Sequence, residues 1–423
     1  VTMRRLLATA HALLLLVLTL PAAAEQRFNL CLDSLRQQAS SQGIHGATLD
    51  LAFADISQRP EVLQKDRGGQ SEFIYTFWHY LGRSVSPERV ETGRNQIATH
   101  RELLEQISRQ YGVPYHYLVA LWGLETNFGR YLGDIPTLDA LATLACDQRR
   151  SSMFGRQFVE ALRLVDQGKI ARESMRGSWA GAMGQVQFMP GTYALYAVDY
   201  DGNGRTDLWN DLPDVFASAA NYLNRIGWKE QDRWGREVRV PRDLPWNLTG
   251  IKGWRPMSEW RRLGVRQVDG SPLPEDGRQA ALLTPEGYEG PCFLVYDNFK
   301  VVMRWNASSY YALAVGHLAD RLAGGPELHA RPPVQTFYRR AEAVEIQQRL
   351  TILGYELGQQ DGLLGGRTQT AIKQFQSLHG LPVDGYPSQP LLEQLRRLTP
   401  SLAVPVNAAI HSHGGKVATT VGE

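Results

Sequence analysis

One acidic side chain stands in an otherwise uncharged or basic stretch near the middle of the chain. Residues 114–133 read PYHYLVALWGLETNFGRYLG, and Glu125 is their single acid. Leu118, Leu121 and Trp122 recur at helical spacing, and Glu125 takes the next position of that series, so its carboxyl points towards the core. Burial disfavours the charged form, so the pKa of an unpaired carboxyl there rises and the group keeps its proton. A protonated carboxyl in a cleft is a general acid.

The helix that positions Glu125 has a start signal and a stop signal. Pro114 suits the first helical position and Gly129 suits a stop, so we expect the helix to lie between them. A Glu that caps or bridges elements inside a helical core is the alternative to an acid catalyst. This segment alone does not decide between the two.

Neutral hydrogen-bonding groups follow in a segment of small residues. Residues 177–196 read GSWAGAMGQVQFMPGTYALY. Gly and Ala allow a backbone or a ligand to approach closely, and Ser178, Gln185 and Gln187 are groups of the kind that bind uncharged sugars. A tight turn between two helices is the alternative.

Two adjacent arginines, Arg149 and Arg150, follow the Glu125 helix after one short element. Such a pair is usually a solvated surface feature, and guanidinium groups are also suited to an anionic ligand at a cleft. Both interpretations stay open.

Residues 199–214, DYDGNGRTDLWNDLPD, have the spacing of a calcium loop. The first, third, fifth and seventh ligand places of an EF-hand-like loop fall on Asp199, Asp201, Asn203 and the carbonyl of Arg205. Asn210 stands where the final bidentate Glu is expected, so Asp211 or Asp214 would have to close a longer loop. An Asp-rich turn without a metal is the alternative.

Length and charge limit the classes of function. The 423 residues suffice for two or three domains, and 45 basic against 43 acidic residues give a net charge of +2, which argues against a nucleic-acid partner. Cys31, Cys146 and Cys292 are too widely spaced for a metal knuckle. In an oxidising compartment two of them can pair; we favour Cys31 with Cys146, and the sequence leaves the pairing open.

The N-terminus has the pattern of a secretory signal. Arg4 and Arg5 precede an apolar run over residues 6–20, and three alanines at 22–24 give a small-residue cleavage pattern. We expect a soluble, exported protein. The residues directly before Cys31, Phe28-Asn29-Leu30, lack the small residue that precedes a lipidated cysteine, so no lipid anchor is expected.

The pattern from residue 28 to about residue 110 is helical, with few strand-like segments, and further helices follow. A looser region rich in Trp, Pro and Gly extends to residue 291, and CFLVYD at 292–297 is strand-like. Gly- and Pro-rich residues then break the periodicity, and residues 341–398 form a separate pattern of three short helices around Leu350, Ile372, Phe375 and Leu392. The predicted divisions are a signal peptide (1–24), a catalytic domain (25–325), a linker (326–340), a small domain (341–399) and a disordered tail (400–423).

Several of these segments together resemble a known family. GLETNFGRYLG, GSWAGAMGQVQFMPGTY, the Asp199 loop, ANYL and YDNFKVVMRWNASSYYALAVGHL, in this order, resemble the membrane-bound lytic transglycosylase B family of peptidoglycan-cleaving enzymes, over roughly residues 28–322. Residues 341–398, with Asp361-Gly362, Phe375-Gln376 and Gly380-Leu381-Pro382-Val383-Asp384-Gly385, resemble a three-helix peptidoglycan-binding domain.

The resemblance implies a mainly α, lysozyme-like catalytic domain with an EF-hand-like loop. It implies cleavage of the β-1,4 bond between N-acetylmuramic acid and N-acetylglucosamine with formation of a 1,6-anhydro ring, and the catalytic glutamate falls on Glu125. The implied substrate-binding residues are Ser178, Gln187, Tyr222, Asn306 and Tyr311, with basic positions at Arg149 and Arg150. The implied Ca²⁺ ligands are Asp199, Asp201, Asn203, Arg205 and Asp214, although this loop has one residue more before Asp214 than the family pattern.

The reaction requires few groups if the substrate supplies its own nucleophile. Glu125 would protonate the glycosidic oxygen and then take the proton of the muramic C6 hydroxyl as that oxygen attacks the anomeric carbon. The resemblance implies a periplasmic monomer that binds peptidoglycan strands, with no organic cofactor; whether other cell-wall enzymes bind it stays open. The alternatives are a lysozyme-type hydrolase of the same bond and a non-catalytic wall-binding protein.

Overall fold

The computed structural model describes residues 25–67, 76–147, 149–332 and 340–402. The chain divides into two compact units, Val1–Thr336 and Phe337–Glu423. The predicted signal peptide, most of the predicted tail and residues 333–339 of the predicted linker lie outside the described residues. Within the described ranges, no helix combines the length and the apolar character needed to cross a bilayer.

The first unit is mainly helical, as predicted. Its described helices are α1 (25–41), α2 (Gly46–Phe53), α3 (Pro60–Arg67), α4 (Phe77–Ser84), α5 (Pro87–Thr99), α6 (Arg101–Tyr111), α7 (Tyr115–Thr126), α8 (Thr137–Ala145), α9 (Ser151–Asp166), α10 (Pro190–Tyr196), α11 (Leu212–Arg225), α12 (Met257–Arg262), α13 (Asp297–Trp305) and α14 (Ser309–Leu322).

Helix α7 is the central element of this unit. Residues 117–123 are all buried, and α7 packs against α5, α6, α11 and α14. Leu118 and Leu121 are fully inaccessible, and burying a side chain of this size contributes roughly 1.5–3 kcal/mol. The predicted ends were slightly wrong: Pro114 precedes the helix, and Asn127, with a φ of 51°, caps it in the left-handed region before Gly129 is reached.

Between α11 and α13 the chain forms an antiparallel sheet that the sequence largely concealed. Earlier in the chain, β1 (Ile135–Pro136) pairs with β2 (Arg176–Gly177). The strands of the sheet are β3 (Gly235–Arg239), β4 (Arg255–Pro256), β5 (Arg266–Gln267), β6 (Gln279–Leu283) and β7 (Cys292–Val295), in the order β4-β6-β7-β3-β5. Trp260, Leu282 and Leu294 belong to the sheet's own core. The prediction of a strand at 292–297 is confirmed. The other strands were not predicted, because they are short and lie in a region rich in Pro and Gly.

A disulfide joins α1 to the residue that follows α8. Cys31 and Cys146 are bonded with a Cα–Cα distance of 5.8 Å, so the favoured pairing is confirmed. Cys292 lies buried on β7, outside this disulfide. The bridge fixes the N-terminal helix to the segment that carries Arg149 and Arg150.

The second unit contains the three predicted helices, α15 (Arg340–Ile352), α16 (Gly366–Leu378) and α17 (Gln389–Leu398). The predicted core is confirmed, since Leu350, Ile372, Phe375 and Leu392 are all at most 3% exposed. The unit also buries an ion pair of Arg349 with Glu345.

Candidate active site

Glu125 lies in the last turn of α7, half-buried, and two side chains donate hydrogen bonds to the same carboxyl oxygen. Oε1 accepts from Trp305 Nε1 at 2.9 Å and from the hydroxyl of Tyr311. Trp305 ends α13, and Tyr311 lies in the first turn of α14, where the Ser308 hydroxyl caps the helix by accepting from Tyr311 N–H at 3.2 Å. The corner between α13 and α14 therefore aims both donors at Glu125.

A wall of aromatic rings surrounds these donors. The Trp305 ring lies 5.4 Å from Phe188 and 5.3 Å from Tyr222, and Tyr222 lies 4.8 Å from Tyr196, all between ring centroids and tilted or edge-on. Burial raises the pKa of the Tyr222 hydroxyl, which donates to the Arg304 carbonyl at 3.1 Å. Tyr222 is therefore neutral. The aromatic rings give Glu125 surroundings of low polarity, in which its hydrogen bonds and charge interactions are stronger than in water.

The backbone directly after Glu125 folds back in a left-handed turn. Asn127 and Phe128 have φ values of 51° and 62°, a costly conformation for residues with a side chain. Phe128 packs under α7, where a Cβ on Gly123 would lie 2.8 Å from its ring. The Thr126 hydroxyl fixes the turn by donating to the Gln185 carbonyl at 2.8 Å and accepting from Gly129 N–H at 3.0 Å.

The small-residue segment packs against this turn. A Cβ on Gly133 would lie 2.2 Å from the Gly177 carbonyl oxygen, so the two backbones touch. Gln187 donates from Nε2 to the Leu132 carbonyl at 3.1 Å, and Ser178 is half-buried one residue after Gly177. Ser178 and Gln187 therefore border the loop that follows Glu125.

Gln185 differs from its two neighbours in the motif. It is 7% exposed, accepts from Trp122 Nε1 at 2.7 Å and donates to the Trp209 carbonyl at 2.8 Å. Its amide joins α7 to the calcium-loop segment, so the interpretation of Gln185 as a sugar-binding group was wrong. The buried amide is a structural connection.

Asn306 lies directly between the two elements that carry the donors. It caps the C-terminus of α13, is half-buried, and its side-chain amide has no hydrogen-bond partner among the described residues. The predicted positions Tyr222, Asn306 and Tyr311 are thus brought to one region with Glu125 by residues far apart in sequence.

Arg149 and Arg150 have a partner of their own. Asp66 of α3 is almost fully buried and forms ion pairs with Arg150 and, at 3.4 Å, with Arg149. The Arg150 guanidinium also lies over the Phe154 ring. This arrangement gives the pair a structural role, and any contact with a ligand stays a prediction.

Sequence reasoning missed Trp305 and Phe188 as parts of the site. Trp305 precedes Asn306 in the motif, but its contact with Glu125 joins residues 180 positions apart. The available signal was the Trp-Asn and Tyr-Tyr clusters flanking a helix break, which places several amphipathic side chains at one corner.

The segment 199–214 gathers carboxylates. One carboxylate oxygen from each of Asp199, Asp201 and Asp214 lies within 4.8 Å of the others. The Asp199 carboxylate accepts from the N–H groups of Gly202, Asn203 and Gly204, which curl the loop around it. Of the two acids that could complete the longer loop, Asp214 of α11 is the one that belongs to this carboxylate cluster.

These residues fit a hard divalent cation. Asp214 is fully buried; burial raises its pKa, and the nearby charges of Asp211 and Asp199 raise it further. Burial and the charge of Asp201 likewise raise the pKa of Asp211. The crowded negative charge is therefore unfavourable by itself and is of the kind that a cation bound by oxygen ligands compensates.

Two family models match the chain, and known proteins are similar to it. The family model described as a transglycosylase SLT domain matches residues 27–320, and a peptidoglycan binding domain matches residues 339–395. Membrane-bound lytic murein transglycosylase B of Escherichia coli K12 is 32% identical over 58% of this chain and 66% of its own length, just under two thirds of that relative.

Solved structures show the same likeness. SltB3 from Pseudomonas aeruginosa in complex with NAG-anhNAM-pentapeptide is 41% identical, with a TM-score of 0.81 over 87% of this chain and 99% of that chain. The Escherichia coli lytic transglycosylase Slt35 in complex with calcium is 28% identical, with a TM-score of 0.61 over 69% of this chain and 92% of that chain.

The chain belongs to the family defined by the transglycosylase SLT domain. Within that family it is a lytic murein transglycosylase similar to SltB3 and to transglycosylase B, with a C-terminal peptidoglycan-binding domain. The predicted family and the mainly helical, lysozyme-like fold class are confirmed, whereas the EF-hand-like loop stays a prediction.

Proposed function

We propose that this enzyme cleaves the β-1,4 bond between N-acetylmuramic acid and N-acetylglucosamine and forms a 1,6-anhydromuramic acid end, with Glu125 as its catalytic acid and base. The observation that carries the proposal is the position of Glu125, half-buried beside an aromatic wall with two donors converging on Oε1. Homologous SltB3 was solved with NAG-anhNAM-pentapeptide, a fragment that contains such an anhydro end.

The two donors favour a defined proton position. Oε1 accepts both of these hydrogen bonds, so when Glu125 is protonated the transferable proton belongs on Oε2. After transfer, Trp305 and Tyr311 continue to donate to the carboxylate and stabilise its charge. The same two contacts therefore hold the side chain in place before and after proton transfer.

The chemistry proceeds with one carboxyl group. Glycosidases that use two carboxylates place them roughly 5–10 Å apart on either side of the bond, whereas Glu125 is the single acid among the residues assigned here to catalysis and substrate binding. Glu125 protonates the glycosidic oxygen as the bond to the anomeric carbon breaks. Its carboxylate then accepts the proton of the muramic C6 hydroxyl while O6 bonds to that carbon. The C6 hydroxyl is tethered to the sugar, which favours it over water.

The neutral groups around the cleft bind the glycan in this proposal. Ser178, Gln187 and Asn306 offer uncharged hydrogen-bonding groups, and Tyr222 and Tyr311 add aromatic surface. Gln187 Nε2 already donates to the Leu132 and Gly184 carbonyls, so its amide oxygen is the group that would accept from a sugar hydroxyl. Arg149 and Arg150 remain the proposed basic positions; Arg149, whose side chain is 57% exposed, is the better placed to reach a ligand.

The loop at 199–214 binds calcium in this proposal. Asp199, Asp201, Asn203, Asp214 and the Arg205 carbonyl would hold the ion, supported by the carboxylate cluster and by the calcium complex of Slt35. A bound Ca²⁺ supplies positive charge and fixes the loop, so its role is structural. Asp207 orders the same segment by accepting from Trp209 and Asn210 N–H groups.

We place the enzyme in the periplasm, exported by the segment 1–24. The Cys31–Cys146 disulfide supports an oxidising compartment. The peptidoglycan-binding domain and the peptidoglycan fragments bound by SltB3 support wall strands as the partner. The proposal includes a monomer with no nucleic-acid ligand and no organic cofactor.

Mass spectrometry of purified murein sacculi digested with the enzyme tests the proposal. Muropeptides with anhydro ends are expected, and the Glu125→Gln protein should release almost none. Reducing ends in their place would indicate a lysozyme-type hydrolase. An absence of products from correctly folded wild-type protein would indicate a wall-binding protein without activity.

A further inference from the structure

A basic groove lies on the sheet region of the first unit, built from the end of α12 and from β5. It has a volume of about 440 Å³ and is lined by Ser258, Arg261, Arg262, Val265, Arg266, Pro272 and Leu273. That volume falls in the range of sites that bind small molecules, about 300–1,000 Å³. None of its residues belongs to the site around Glu125 or to the calcium loop.

Its arginines are only partly neutralised. Arg261 forms an ion pair of 2.6 Å with Glu275, whose side chain is 80% exposed. Arg262 and Arg266 are exposed and form no ion pair with any described residue. The contact with Glu275 shows that the groove's rim accommodates a carboxylate, and the two other guanidinium groups leave positive charge to be compensated.

The strand pairing gives a second, independent reason why this groove suits an anion. Arg266 of β5 lies directly opposite Arg239 of β3, and like charges facing each other across a strand pair are destabilising. Hydrogen bonds with Ser271 and, less strongly, the charge of Arg239 lower the pKa of Asp269, whose carboxylate already accepts from Ser271 N–H at 2.8 Å. Attraction to a helix C-terminus explains Arg261 and Arg262 of α12, but it does not explain Arg266.

The rest of the lining indicates the chemical class of the ligand. Pro272 is the exposed apolar residue of the lining and forms its apolar floor; Val265 and Leu273, which also line the groove, are almost fully buried. Guanidinium forks match a carboxylate with two parallel hydrogen bonds, and an apolar floor accommodates a small aliphatic side chain next to it. Inorganic phosphate would use the arginines and gain nothing from the floor.

We propose that this groove binds the free C-terminal carboxylate of a short peptide whose last residue is small and aliphatic. Under the proposed function, on which this identification of the ligand rests, such a peptide is the stem of peptidoglycan; SltB3 was solved with pentapeptide-bearing fragments. The groove then recognises peptide stems at a place separate from the bond that is cleaved.

Photo-crosslinking with the full-length protein tests the groove. The probe is a synthetic alanine-terminated pentapeptide that carries a diazirine, prepared with either a free C-terminal carboxylate or a C-terminal amide, and labelled residues are mapped by mass spectrometry. The free acid should label residues 258–273, and the amide should label them at least about tenfold less, since charge-assisted hydrogen bonds are lost.

Matched variants locate the effect. The Arg262→Gln, Arg266→Gln protein should lose labelling at 258–273 to the same extent, whereas Arg109→Gln with Arg156→Gln, two exposed arginines outside the groove, should not. Equal labelling by acid and amide, or unchanged labelling of the groove variant, would overturn the proposal. Suppression by inorganic phosphate at the concentration of the peptide would overturn the peptide assignment.

The Glu125→Gln protein separates this inference from the cleavage reaction. It should be labelled in the groove as strongly as the wild type, because the peptide probe contains no glycan. Loss of its labelling would contradict the independence of the two sites. If the groove is not labelled but the enzyme still forms anhydro products, the peptide-binding role of the groove is refuted and the proposed cleavage reaction is not.

Discussion

Two regions of the catalytic unit hold carboxyl groups in opposite surroundings. At the candidate active site, the Glu125 carboxyl accepts hydrogen bonds from the indole of Trp305 and the phenol of Tyr311, and Trp305 packs against Tyr222. In the loop at 199–214, several carboxylates crowd together and receive theirs mainly from backbone N–H groups. The first surroundings suit an acid that exchanges one proton, and the second suit permanent negative charge that a cation neutralises.

The comparison teaches that neighbours decide what a carboxyl group does. Side-chain donors fix the direction of the Glu125 carboxyl and tolerate either protonation state. Backbone N–H groups donate to the Asp199 carboxylate, while burial and the nearby charges of Asp211 and Asp199 raise the pKa of Asp214. Each difference predicts a result that substitution or metal removal can test.

The largest effect is expected from Glu125→Gln. The amide preserves the shape of the side chain and cannot donate and then accept a proton, so turnover on sacculi should fall at least about a hundredfold. The melting temperature should stay close to that of the wild type. Near wild-type release of muropeptides by the folded variant would show that the cleft's acid has been wrongly assigned.

Substitutions in the loop at 199–214 are expected to change the stability of the protein and not its catalytic chemistry. Asp199→Ala with Asp201→Ala should remove the stabilisation by calcium, roughly 2.7 kcal/mol at a concentration one hundred times the dissociation constant. Melting curves with calcium and after chelation measure it. Asp33→Ala with Asp243→Ala, exposed acids elsewhere in the unit, is the charge-matched control. Identical melting of the wild type with and without calcium would remove the metal from the proposal.

Neighbouring tyrosines sharpen the role of the donors in the cleft. Tyr311→Phe removes one hydrogen bond to Glu125, and turnover should fall roughly tenfold, the value of one such bond to a charged group. Tyr310→Phe is the matched control, because its hydroxyl donates to the Pro285 carbonyl instead. Equal rates for the two variants would mean that donation to Glu125 does not contribute to turnover.

The smallest effect is a dependence of calcium stabilisation on pH. The pKa values of Asp211 and Asp214 are raised above 3.8, chiefly by burial. A carboxyl group whose pKa is raised by folding stabilises the folded state at low pH, and this stabilisation is lost as the pH rises through the folded-state pKa. The calcium-free protein should therefore lose this contribution between about pH 4 and pH 7. Calcium binds the deprotonated carboxylates, so the gap in melting temperature between loaded and stripped protein should widen with pH. A constant gap would contradict these shifts.

The sequence predicted features that depend on local pattern. The helix of Glu125 followed from its apolar spacing, and the core of the second unit, including Ile372 and Phe375, followed from three amphipathic segments. The carboxylate group at Asp199, Asp201 and Asp214 followed from the loop spacing and the family resemblance.

Features that depend on tertiary contact were not predictable in the same way. The hydrogen bond from Trp305 to Glu125 joins helices that are far apart in sequence. The side-chain amide of Gln185 is of a type that binds sugars, but here it accepts a hydrogen bond from buried Trp122. The sheet was not predicted because strands such as Gln279–Leu283 are rich in alanine and leucine, a composition typical of helices. Such strands are stabilised by pairing with neighbouring strands.

Cleavage of sacculi in water labelled with heavy oxygen tests most directly whether the substrate's own hydroxyl completes the reaction that Glu125 starts. Because no water enters the proposed reaction, the muropeptides should carry no heavy oxygen and should each lack one water relative to a hydrolysis product. Incorporation of one heavy oxygen at the anomeric position of each new end would contradict the account and identify a hydrolase.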